Sequence, residues 1–157
     1  MPIYIKIDRI GFSIYFFTTE YCVNYSNITD SWRKIGSPYV SKCDKNNSEI
    51  NGVNWHRFVE PAGTRLPSLS PPQQLLEPGY KTICGTNPTA WMDGDHPTVA
   101  DGVLTRQICF AWGGKYCYHN DVFQTKVAAC NNPYGEEVFY VYQLHPPTIC
   151  NDGYCAL

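Results

Sequence analysis

Short alternations of apolar and polar residues, broken every few positions by Gly, Pro, Asn or Asp, run through most of this chain. No apolar repeat at helical spacing outlasts two turns. That pattern predicts strands. Trp55-His56-Arg57-Phe58-Val59 alternates bulky apolar with polar residues and reads as a strand. Residues 103–112 read as another, followed by a tight turn at Gly113-Gly114. The next strand is expected to start near Tyr116, forming a hairpin that brings Cys109 and Cys117 together. Residues 122–130 are a further strand. In the last clear strand Val138, Tyr140, Tyr142 and Leu144 share one face, with Phe139 and Val141 on the other. A strand apolar on both faces belongs in the interior of a sheet. Pro146-Pro147 ends it.

Between these strands the signals are of turns and loops. Residues 22–52 are rich in Asn, Ser and Gly and read mostly as loop. Residues 67–79 hold four prolines, which remove donors and fix φ, so an exposed loop is expected with one helical turn at 73–76. The stretch 91–97 carries turn chemistry at Asp93-Gly94-Asp95. Residues 1–21 are apolar and β-prone. The expected fold is all-β or β-rich with short helical turns only. It would be a single compact disulfide-stabilised domain with long loops, spanning residues 22–157.

Composition narrows the setting. The eight cysteines (Cys22, Cys43, Cys84, Cys109, Cys117, Cys130, Cys150 and Cys155) are even in number, widely spread and free of any Cys-x-x-Cys pair. That suggests disulfides made in an oxidising compartment. Each bridge would contribute roughly 2–4 kcal/mol, supplementing a core that 157 residues suffice to build. With 17% charged residues and a net charge of -2, nothing favours nucleic acid. No apolar run reaches the 18 residues of a membrane span. Residues 10–17 are apolar and preceded by Lys6 and Arg9. They could be a signal-peptide core, a core strand, or a fragment's start; Asp8 and the lack of a small-x-small site weigh against the first. Asn24-Tyr25-Ser26, Asn27-Ile28-Thr29 and Asn46-Asn47-Ser48 are N-glycosylation sequons, whereas Pro88 excludes Asn87. Asn24 and Asn27 are close enough that one glycan can exclude the other.

Other chemistry is weaker. Asp93, Asp95 and Asp101 could bind calcium, but the twelfth position from Asp93 is Leu104, so a polar turn is the simpler reading. The spacing of Cys150 and Cys155, or of Cys109 and Cys117 with His119 and His145, departs from structural zinc sites. His56, His96, His119 and His145 sit in no catalytic signature, and His96 before Pro97 reads as a turn residue with one satisfied ring nitrogen. Trp32, Trp55, Trp91 and Trp112 could stack on sugars, but more often such rings fill a core beside disulfides. No enzyme, metal or other cofactor is expected.

Several motifs fall in one order. They are Asp30-Ser31-Trp32-Arg33, Lys42-Cys43-Asp44, residues 55–59 above, Gly63-Thr64-Arg65-Leu66-Pro67 and Cys84-Gly85-Thr86. Trp91, Gly94 and His96-Pro97 follow, then Cys109-Phe110-Ala111-Trp112, Lys126-Val127-Ala128-Ala129-Cys130 and Tyr154-Cys155. In these, residues 22–155 resemble the uromodulin-type eight-cysteine (D8C) domain family of extracellular proteins. The resemblance implies the pairing Cys22–Cys130, Cys43–Cys150, Cys84–Cys155 and Cys109–Cys117. Spacing alone permits 105 pairings, and only the hairpin bridge has local support. Similar vertebrate members carry two further cysteines, both missing here, as expected if those two bond each other. The Asn sequon that some members carry before His-Pro is replaced by Asp93 and Asp95.

The expectation is a non-enzymatic extracellular recognition or structural module of a secreted or cell-surface protein, glycosylated, with an extracellular protein or glycan partner. The alternative is a lectin-like carbohydrate-binding domain using exposed aromatics.

Overall fold

The structure, a computed structural model, describes residues 3–8 and 11–16 as backbone, and 19–68, 83–111, 117, 122–134 and 137–157 in full. Among the described residues there are eight strands: β1 (Ile3–Asp8), β2 (Gly11–Phe16), β3 (Ser26–Ile28), β4 (His56–Phe58), β5 (Thr89–Asp93), β6 (Val103–Ala111), β7 (Phe123–Asn131) and β8 (Val138–Tyr142). β1 and β2 pair with each other, Ile3 opposite Phe16. The other six form one sheet in the order β3-β4-β8-β7-β6-β5. All its contacts are antiparallel except β3–β4. Helix among the described residues is confined to single 3-10 turns at Glu20–Cys22, Ser31–Arg33 and Val99–Asp101.

The alternation of the sequence decides what each face of the sheet carries. β8 lies inside the sheet, and both its faces are covered. On the front, Phe58, Met92, Ile108, Phe110, Val127 and Tyr142 build the main core. On the back are two smaller clusters. Trp91, Cys109 and Ala111 pack with Ile83 at the β5–β6 end. Ala128, Cys130, Phe139 and Val141 pack with Tyr21, Tyr25 and Trp55 at the β7–β8 end. Among the described residues, irregular segments cover the front, bringing in Ile50, Leu66, Tyr154 and Ala156. A loop layer has no hydrogen-bonded ladder of its own, so it needs another means of staying in place.

β7, which pairs with β6, begins at Phe123, opposite Ile108, close to the expected strand 122–130. That register keeps Ile108, Phe123 and Val127 on the core side, and a one-residue slip would reverse the faces. Residues 89–93, read partly as a turn, form the edge strand β5, because Ala90 and Met92 face the core and Trp91 the back cluster. Within the loop region 22–52, Ser26–Ile28 adds a short strand beside β4. The Gly113-Gly114 turn, Trp112, Tyr116, His119 and the proline-rich stretch with its expected helical turn at 73–76 lie outside the described residues.

Candidate functional site

Four disulfides hold the loop layer and the back clusters to the sheet. Cys22–Cys130 fixes the first 3-10 turn against β7, with Cα atoms 5.5 Å apart. Cys43–Cys150 (5.6 Å) joins the loop before β4 to the segment after β8. Cys84–Cys155 (6.3 Å) joins the approach to β5 to the C-terminal tail. Cys109–Cys117 (4.9 Å) ties β6 to the connection that follows it.

A buried ion pair reinforces the same junction. Arg33 donates to both carboxylate oxygens of Asp44 at 2.7 and 2.6 Å and to the Tyr154 carbonyl at 3.1 Å. Its Nε donates to Asp30 at 2.9 Å. Asp44 also accepts the Tyr154 N–H at 2.9 Å, so one carboxylate and one guanidinium between them bind loop to tail. Trp32 lies 4.1 Å from the guanidinium. Burial lowers the Arg33 pKa, but the hydrogen bonds and charge of Asp44 and then Asp30 outweigh it, leaving it above the ordinary arginine value. The tail approaches closely at Gly63. There φ is +95°, and a Cβ would stand 2.6 Å from the Leu157 carbonyl oxygen.

The described histidines, His56, His96 and His145, are engaged in packing. Tyr142, fully buried, accepts the Leu66 N–H and lies 2.8 Å from His96 Nε2. Burial raises the Tyr142 pKa. The two share one hydrogen bond, whose donor is set by the tautomer of the His96 ring. Burial, with help from Arg65, lowers the His96 pKa to about 4. Burial likewise lowers that of His56. His145 stacks on Phe123, centroids 5.4 Å apart.

The candidate calcium ligands do not converge. Asp101 accepts from the backbone and hydroxyl of Thr98 at 2.7 Å each, closing a capping box. Among the described residues no group of three or more His, Cys, Asp or Glu is placed to hold a metal.

The sequon residues Asn24, Asn27 and Asn46 are all exposed. Asn24 stands beside an open groove of about 490 Å³, lined among others by Tyr21, Asn24, Tyr25, Ser26, Val53 and Trp55. Tyr21 and Trp55 make a tilted ring pair at 5.4 Å. The other described tryptophans are placed differently, Trp91 in the back cluster and Trp32 against Arg33.

Residues 56–156 match the family model described as the uromodulin-like D8C domain. The chain belongs to this family. Among relatives of the D8C family, it is 33% identical over 136 residues to the pancreatic secretory granule membrane major glycoprotein GP2 of Canis lupus familiaris, and 32% over 135 residues to uromodulin of Rattus norvegicus. These matches take in 86% of the chain but only 23% and 18% of those relatives, so it spans about a fifth of their length. The D8C model begins at His56, after Arg33 and Asp44. The sequence motifs around those two residues had suggested no chemistry; Asp30, Arg33 and Asp44 turn out to be one ionic cluster.

No described helix is long and apolar enough to cross a membrane.

Proposed function

We propose that this D8C domain is a non-enzymatic recognition and display module of a secreted or cell-surface glycoprotein, comprising residues 22–157, with glycans carried at Asn46 and at Asn24 or Asn27. The observation that carries the reading is the disulfide-pinned loop layer, with Cys43–Cys150 and Cys84–Cys155 at its centre. Loops held this way keep fixed positions without needing a second layer of regular structure, which suits the presentation of surface to a partner. The partners would be an extracellular protein or glycan. His96 is poorly placed to act as a general base, which needs a ring nitrogen free to reach a substrate proton, because its Nε2 is already hydrogen-bonded to Tyr142. The name of the canine relative, a secretory granule membrane glycoprotein, agrees with the proposed setting.

The test is secretion of the whole chain from a glycosylating eukaryotic host, followed by non-reducing peptide mapping and glycopeptide analysis. The expected result is four linked cysteine pairs, no free thiol and a glycan on Asn46. Free thiols in folded, secreted material would sink the reading. The lectin-like alternative has Tyr21 and Trp55 in its favour; a glycan array probed with the same protein decides it by specific binding that is lost when Trp55 is replaced.

A further inference from the structure

We infer that the Tyr21–Trp55 groove is the seat of the protein's own Asn24 glycan, whose first sugar packs on these rings and so leaves the surface in a fixed direction. The inference rests on the glycoprotein reading above and adds a site to it. All three residues of the first sequon, Asn24, Tyr25 and Ser26, line the groove. Its volume of about 490 Å³ is that of an ordinary small-molecule site, within the range of about 300–1,000 Å³.

Attachment replaces one N–H of the Asn24 amide by a bond from nitrogen to the anomeric carbon of N-acetylglucosamine. The diphosphate of a lipid-linked oligosaccharide donor leaves with the bonding electrons, and the amide proton passes to base. The sugar then starts at the groove wall.

The walls are fixed on both sides. Cys22–Cys130 anchors the turn carrying Tyr21. The Asn24 N–H donates to the Glu20 carbonyl at 2.8 Å, and the Ser26 N–H to the Trp55 carbonyl at 2.9 Å. Tyr25 packs on Phe139 at 5.5 Å. A pyranose has an apolar C–H face, which an aromatic ring buries, and hydroxyls, which the exposed Glu20 and Asn54 at the rim can bind.

Tethering selects the occupant. A free sugar must lose translational and rotational freedom to bind, which a few stacking contacts offset poorly. A sugar already bonded to Asn24 has an effective concentration of order millimolar or more, so the same contacts fill the groove. Asn46 lies in a turn away from these rings and serves as the internal reference.

The experiment is NMR of the intact secreted protein with isotope-labelled glycans, together with glycopeptide mapping. The first N-acetylglucosamine on Asn24 is expected to show ring-current shifts upfield of the one on Asn46, and Trp55→Ala should move them back to the Asn46 values. The comparison between the two sites needs no variant, so it stands even if Trp55→Ala fails to fold. Identical shifts at occupied Asn24 and Asn46 overturn the inference. An unmodified Asn24 with a glycan on Asn46 overturns it while leaving the glycoprotein reading intact; no glycan at any site overturns both. A third arm uses Asn24→Gln on an array of free oligosaccharides: specific binding through Trp55 makes the groove a site for other molecules' sugars and overturns the inference, and no binding supports it.

Discussion

Arg33 shows how one side chain can decide whether two distant segments stay together. It is 1% exposed, and Asp44, its bidentate partner, is fully buried. Removing Arg33 leaves the buried Asp44 charge without its counterpart, a change that usually costs about 3–5 kcal/mol. Arg33→Ala is therefore expected to lower the unfolding free energy measured in urea by an amount of that size. Arg33→Lys should recover only part of it, because an ammonium cannot span both carboxylate oxygens. A loss of less than about 1 kcal/mol would mean that the pair adds little beyond packing. His56 and His96 set the acid behaviour. Both have folded pKa values below the unfolded value of about 6.5. Below that value the unfolded chain binds protons that the folded one refuses, so stability falls as the pH falls from about 6.5 towards 4. The contribution of His96 is fully present above pH 6.5, and its slope cannot exceed about 1.4 kcal/mol per pH unit for one proton. His96→Asn should flatten denaturation midpoints measured across this window; an unchanged profile would remove His96 from the explanation.

At the scale of elements, the bridges differ in how much chain they close. Cys22–Cys130 spans 108 residues and Cys109–Cys117 only 8. Loop-closure entropy grows with the logarithm of length, so replacing the first pair with serines should destabilise by about 2 kcal/mol more than replacing the second. Chemical denaturation of the two double variants checks this, and equal losses would mean that local packing outweighs chain entropy. The long strands were legible in the sequence for a simple reason. β6, β7 and β8 are runs of five to nine residues rich in β-branched and aromatic side chains, long enough to stand out between turn signals. β3 and β5 were not, because Ser26–Ile28 is too short to show a period and the turn residues after Met92 masked the strand before them. The candidate site divides in the same way. Sequons are written in three consecutive residues and were visible. The groove was not, since it joins Tyr21 to Trp55 across 34 positions that the β3–β4 pairing and the Cys22–Cys130 bridge bring together. Arg33 and Asp44 stood in recognisable motifs, yet nothing in their spacing announced an ion pair.

For the whole molecule, the segment from Cys150 to Leu157 ties several distant parts of the chain together. Two disulfides, the Tyr154 ring against Phe110 and the backbone bonds to Arg33 and Arg65 all meet there. Its consequence is one of timing. A growing chain emerges at about 5–20 residues per second, so Cys43 and Cys84 are exposed for several seconds before their partners exist. In that interval they can only wait as thiols or oxidise wrongly, and a wrong bond takes seconds to hours to reshuffle. Two of the four bridges thus wait for Cys150 and Cys155 to emerge, and maturation of this domain is set by that delay and the thiol–disulfide exchange around it more than by how fast the sheet can form.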